Sequence, residues 1–171
     1  MVILRATAKV LRSLPPPSEP GRSSDTALGD WYVNRIVVHC EPLLLLVSST
    51  SLLALVDRAR DVRALPGRLA ELVAVRLQCL EVAPPLVEAE VSTMLPVEVA
   101  KTADRAVLGI LVDFARSIPY YLPPGVTGDA GLRRVESMLA RTPCYVGATG
   151  KEVVFPRRKA PELLRAKWGA G

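Results

Sequence analysis

The feature that most narrows the fold is an apolar run in the first third of the chain, PLLLLVSSTSLLALV at residues 42–56. A membrane-spanning helix needs about 20 apolar residues. This run is shorter, and the polar residues 48–51 interrupt it. It reads instead as two strands joined by a polar turn. Four consecutive leucines leave no polar alternation, which predicts a strand buried on both faces.

The preceding segment, LGDWYVNRIVVHC, is rich in aromatic and β-branched residues and also predicts a strand. Trp31, Val33, Arg35, Val37 and His39 point one way, and Tyr32, Asn34, Ile36, Val38 and Cys40 the other. With EP at 41–42 as a tight connection, the three strands form an antiparallel meander, the central one at 43–47. VILRAT adds a first strand, and AKVLRSL a helical turn or two. Prolines and serines then predict a flexible surface loop at about 15–27.

Beyond the meander, Leu69, Leu72, Val73, Leu77 and Leu80 make a helical stripe over 66–82, broken only by Arg76. PPLVEAEVSTM predicts a short second helix with Glu88 and Glu90 in solvent. LPVEVAK alternates as a half-buried strand. A helix follows over 103–118, with Thr102 as its cap, a stripe of Val107, Leu108, Leu111, Phe114, Ala115 and Ile118, and its end at Pro119 or in the YYLPPG stretch. DAGLRRVESMLA is amphipathic, TPCYVGATGKEVVFP holds a short hairpin, and APELLRAKW a last helix before a fraying GAG. The expected fold is one α+β domain over residues 1–150, a small, mostly antiparallel sheet packed by several helices. Residues 151–171 form a basic C-terminal extension.

The net charge of +5 belongs to the ends. Residues 1–22 carry four basic groups and one acidic, residues 151–171 six and two, and the middle is slightly acidic. Arg5 and Lys9 break what a secretory leader would need as an apolar segment, so the expected location is cytoplasmic, without a membrane. Cys40, Cys79 and Cys144 are widely spaced and form no C-x-x-C pair, and His39 is the single histidine. That set predicts no metal site and no cofactor. In a strand, His39 and Cys40 point to opposite faces, a poor geometry for a nucleophile and its base. Phosphate-loop and nucleophile-elbow patterns are absent. The residues give no support for an enzyme and name no catalytic group.

The strand-to-helix junction at 101–105 is the best candidate site. A helix start exposes free N–H groups and partial positive charge, and Lys101 and Arg105 flank it. Arg105, Gly109, Asp113 and Arg116 fall on one narrow arc of the helix. Glycine in mid-helix costs about 1 kcal/mol against alanine, so close backbone packing or room for a ligand is expected at Gly109. Asp30, Trp31 and Asn34 form a second cluster. The ligand-binding candidates are therefore Asp30, Trp31, Asn34, Lys101, Arg105 and Asp113.

LGDWYVNRI, followed by an apolar hairpin and later by KTADRAVLGILVDF, resembles a family of small uncharacterised bacterial proteins, a domain of unknown function. That family carries Gly-Asp-Trp-x-x-Asn and Thr-x-x-Arg-x-Val-Leu-Gly motifs. The match covers roughly residues 1–122, through Gly29, Asp30, Trp31, Asn34, Thr102, Arg105, Val107, Leu108, Gly109 and Asp113. Ala106, Ile110 and Val112 depart from it, each apolar where the pattern is polar. The resemblance implies a fold grouping and no reaction. The leading functional expectation is a non-catalytic binding or regulatory module acting through a protein partner or as a homo-oligomer. The alternatives are a nucleic-acid or anion binder using Lys101, Arg105 and the basic tail, and an enzyme on a phosphorylated or acidic small molecule.

Overall fold

A computed structural model of the chain describes residues 1–19, 21, 23–126 and 128–169. Pro20 and Arg22 of the expected loop, and Ala170 and Gly171 of the expected frayed end, lie outside the described residues. The main sheet comprises β1 (Val2–Ala6), β2 (Trp31–Val38), β3 (Glu41–Ser48), β4 (Ala54–Arg58) and β5 (Val97–Lys101). Its order is β4-β3-β2-β1-β5.

The meander β2-β3-β4 is antiparallel, with Leu45 paired to Asn34 on one side and Val56 on the other. β1 runs parallel to both of its neighbours. The sheet is therefore mixed and not mostly antiparallel. The cause lies in the connections. A tight turn can only reverse a strand, whereas residues 7–30 and 59–96 are long enough to cross the sheet and re-enter in the same direction. Alternation within a strand carries no record of its direction.

β3 is buried on both faces, as the leucine run predicts. Leu44 and Leu46 join one core, and Leu43, Leu45 and Val47 the other. The first core is covered by α2 (Leu65–Cys79), α3 (Pro84–Ser92) and α6 (Pro156–Trp168), with α1 (Ala8–Leu11) at its border. The second is covered by α4 (Arg105–Tyr121), α5 (Asp129–Arg141) and a hairpin of β6 (Cys144–Val146) and β7 (Glu152–Val154). The molecule is thus a helix–sheet–helix sandwich. Among the described residues no helix is long and apolar enough to cross a membrane.

Both sheet edges are blunted. At β4 the Val56 N–H donates to the Glu136 carboxylate of α5 at 2.9 Å. At β5 the Ser18 N–H donates to the Val99 carbonyl at 2.9 Å.

Several local expectations are corrected. The β2–β3 turn is His39-Cys40, both at positive φ, and not Glu41-Pro42. His39 Nε2 donates to the Leu122 carbonyl at 2.9 Å, a structural role. Asp104, not Thr102, caps α4, its carboxylate accepting from the Ala106 N–H at 2.7 Å. Of the two expected ends of α4 the later one holds: Pro119 sits inside its last turn, and the helix ends at Tyr121, in the YYLPPG stretch. Glu90 is buried and accepts from the backbone N–H groups of Ala27 and Leu28 and from Trp168 Nε1. It binds α3, the approach to β2 and the end of α6 into one unit, where a solvated side chain was expected.

Candidate functional site

The predicted residues divide into three groups. Asp30 ion-pairs with Arg5, and its second oxygen accepts from Ser24 Oγ at 2.6 Å. Its own N–H donates to Ser49 Oγ at 2.9 Å. Gly29, just before it, has φ +69°, and an added Cβ there would meet Ser49 Oγ at 2.5 Å. Only glycine fits this close approach in the left-handed region. Asn34 accepts from Thr7 Oγ1 at 2.8 Å, and the Lys101 carbonyl accepts from Arg5 Nη1 at 3.0 Å. Asp30, Asn34 and Lys101 thus gather around the C-terminal end of β1. A cleft of about 360 Å³ opens beside them, lined by Arg5, Ser18, Lys101 and Thr102 among others.

Trp31 belongs to the core. It is fully buried in the first core, on the other face of the sheet from Tyr32. Its indole anchors the start of β2. Arg105 and Asp113 form the third group, on the exposed side of α4. Asp113 lies 3.9 Å from Arg116 and not beside Arg105. The junction itself is held from below by the Tyr32 hydroxyl, which accepts from the Asp104 N–H at 3.0 Å. Gly109 faces open space, with nothing within 4 Å of an added Cβ. No backbone packs against it.

Two groupings escaped the sequence reading. The first is Arg76 with Glu136, which links α2 to α5 past the β4 edge. Arg76 Nη2 donates to the Glu136 carbonyl at 2.9 Å, and Nη1 lies 4.0 Å from its carboxylate. Arg76 is 1% exposed, and its Nε–H has no partner among the described residues. Burial pulls the Arg76 guanidinium below its ordinary pKa, against the pull of Glu136 and Cys79. Burial likewise pushes the Glu136 carboxyl up, against the Val56 hydrogen bond and Arg76. The break that Arg76 makes in the apolar stripe of α2 was the signal for this pair.

The second grouping lies where α5 ends, the hairpin turns back and α6 begins. In the hairpin Tyr145 pairs with Val153, and both face outward with Phe155. Cys144 and Val154, on the inner side, pack into the second core. Tyr145 is 64% exposed and Phe155 38%. The Arg158 guanidinium lies over the Phe155 ring, 5.6 Å from its centre. Residues 141–168 carry seven basic and two acidic side chains. Among the described residues Arg141, Arg157 and Arg158 make no ion pair. Their charges face water. The signal was parity, because odd-numbered positions in the hairpin hold aromatic and apolar residues on the face away from the core.

Neither the comparison with curated proteins nor that with solved structures gives a match. One family model does match, over residues 3–159, and the chain therefore belongs to the family described as a domain of unknown function, DUF6933.

Proposed function

We propose that the chain is a non-catalytic binding module for single-stranded nucleic acid. The observation that carries this reading is the stretch from residue 141 to 158, in which exposed aromatics, Tyr145 and Phe155, stand among the exposed arginines 141, 157 and 158, with the Arg158 guanidinium over the Phe155 ring. A nucleic-acid strand offers a charged backbone and flat bases. Lysine and arginine replace the counterions of the backbone, and aromatic rings stack on the bases without regard to sequence. Lys151, at the hairpin turn, and Arg165 and Lys167, further along α6, extend the charge. Lys101 and Arg105 are also exposed and offer a second, smaller patch.

Fluorescence anisotropy with a labelled single-stranded oligonucleotide tests the reading. Binding is expected at 50 mM salt, weakening steeply toward 200 mM. Tyr145→Ala and Phe155→Ala should each cost about 1–3 kcal/mol of affinity if a base stacks there. Arg105→Ala separates the two patches, since it should leave binding at the hairpin surface intact. No binding at 50 mM salt would overturn the proposal.

A protein partner, or a second copy of this chain, is the second reading. The outward Tyr145 and Val153 favour it, because a hairpin with its inner face already in the core has no folding need for apolar residues outside. Light scattering on the full chain distinguishes the two. A dimer that Tyr145→Ala converts to monomer, with no oligonucleotide bound, supports self-association.

A further inference from the structure

A small cleft of about 90 Å³ lies between the end of α2, α5 and the start of α6. Arg76, Arg141, Arg157 and Ser137 line it, with Cys79 at its side. Glu81 is the one carboxylate among the described lining residues. Arg141 and Arg157 are exposed at the rim, so with Arg76 three cationic side chains border one small opening that an anion would neutralise. Arg76 is the buried member of the three. Its Nη2 donates to the Glu136 carbonyl with Nη1 4.0 Å from the carboxylate, and its Nε–H has no partner among the described residues. A buried donor of this kind costs free energy unless an acceptor reaches it. The space is large enough to admit a small oxyanion.

We infer that this cleft is a phosphate-binding site, with Arg76, Arg141 and Arg157 as the charged donors and the Ser137 hydroxyl as a further one. It shares Arg141 and Arg157 with the surface proposed for nucleic acid, yet it stands or falls separately. A free phosphate, or a phosphate of a bound strand, supplies the same chemistry. Cys79 is exposed and lines the cleft, whereas Cys40 is exposed in the β2–β3 turn, far along the chain. The two thiols therefore serve as reporter and control.

The experiment follows alkylation of Cys79 and Cys40 by peptide mass on the full chain, at constant ionic strength. Inorganic phosphate and pyrophosphate are titrated first. The expected result is a saturable slowing of Cys79 by several-fold, with Cys40 unchanged. Arg157→Glu and Arg141→Glu, on exposed positions that leave the fold intact, should abolish the slowing. An unchanged Cys79, or equal slowing of both thiols, overturns the site. Oligonucleotides with and without a 5′-phosphate then identify the source. Protection by both supports a backbone phosphate, and protection only by the phosphorylated strand supports a terminal one. Protection by inorganic phosphate alone keeps the site and removes the strand from it.

Discussion

Gly109 shows how a residue can look purposeful in a sequence and stand free in a structure. It lies in mid-helix on α4, and an added Cβ meets nothing within 4 Å. Gly109→Ala should therefore stabilise the fold by up to about 1 kcal/mol, read as a higher urea midpoint at unchanged slope. A loss of stability would mean that the helix is crowded there. Gly29 is the opposite case. Its positive φ and the 2.5 Å approach to Ser49 Oγ make Gly29→Ala destabilising by about 2 kcal/mol or more. Cys144 separates from the other two thiols in the same way. Burial, and then the nearby Asp113 charge, push its pKa up to about 11, while Cys40 and Cys79 are exposed. At pH 8 in native conditions iodoacetamide should label Cys40 and Cys79 rapidly and Cys144 only after unfolding. Rapid labelling of all three would contradict the burial. The glycine–aspartate–tryptophan motif was legible in the sequence as a special place. Its role was not, because Asp30 meets Arg5 and Ser24 through folding alone.

At the scale of elements, the Arg76–Glu136 link decides how α2 and α5 close over the β4 edge. Glu136→Ala leaves the Val56 N–H unpaired and takes the carboxylate charge from the buried Arg76 guanidinium, which keeps only its hydrogen bond to the residue-136 carbonyl, for a cost of about 3–5 kcal/mol. Replacing both by leucine should cost less than the sum of the single replacements, since no orphaned charge remains. Equal, additive losses in urea melts would show that the two side chains act independently. The pair also sets a pH dependence. The folded state holds the Glu136 proton to higher pH than the unfolded chain does. Its contribution to stability is therefore complete below the ordinary carboxylate range and is lost as pH rises through the raised folded value. Glu136→Gln should flatten that part of the stability profile. The helices and strands themselves were legible, because leucine and valine spacing reports one element's own face. Strand direction and the Arg76–Glu136 contact were not, since both depend on pairing between distant segments.

For the molecule as a whole, the basic end of the chain is part of the sandwich. Ala160 and Leu164 of α6 are fully buried in the first core, and Trp168 donates from its indole to Glu90 at 2.8 Å. That carboxylate also holds the backbone of Ala27 and Leu28, which lead into β2. The end of α6 therefore fixes a loop segment that lies about 140 positions earlier in sequence. The composition of residues 151–171 shows charge, and charge alone reads as an appendage. The apolar positions 160, 164 and 168 follow a four-residue spacing that places them on one side of a helix. A chain ended after Phe155 loses that side, and burying a single leucine contributes about 1.5–3 kcal/mol. Such a truncation should lower the thermal midpoint strongly and broaden the transition, followed by circular dichroism at 222 nm. Trp168→Phe keeps an aromatic side chain but removes the indole N–H and the smaller ring, so it should cost about 1–3 kcal/mol through the hydrogen bond lost at the buried Glu90 carboxylate and some lost packing. A truncated chain that melts at the same temperature as the full one would make α6 an ornament on a complete fold. A large loss on truncation with none for Trp168→Phe would place the stability in apolar packing, and leave the Glu90 contact as a device for orientation.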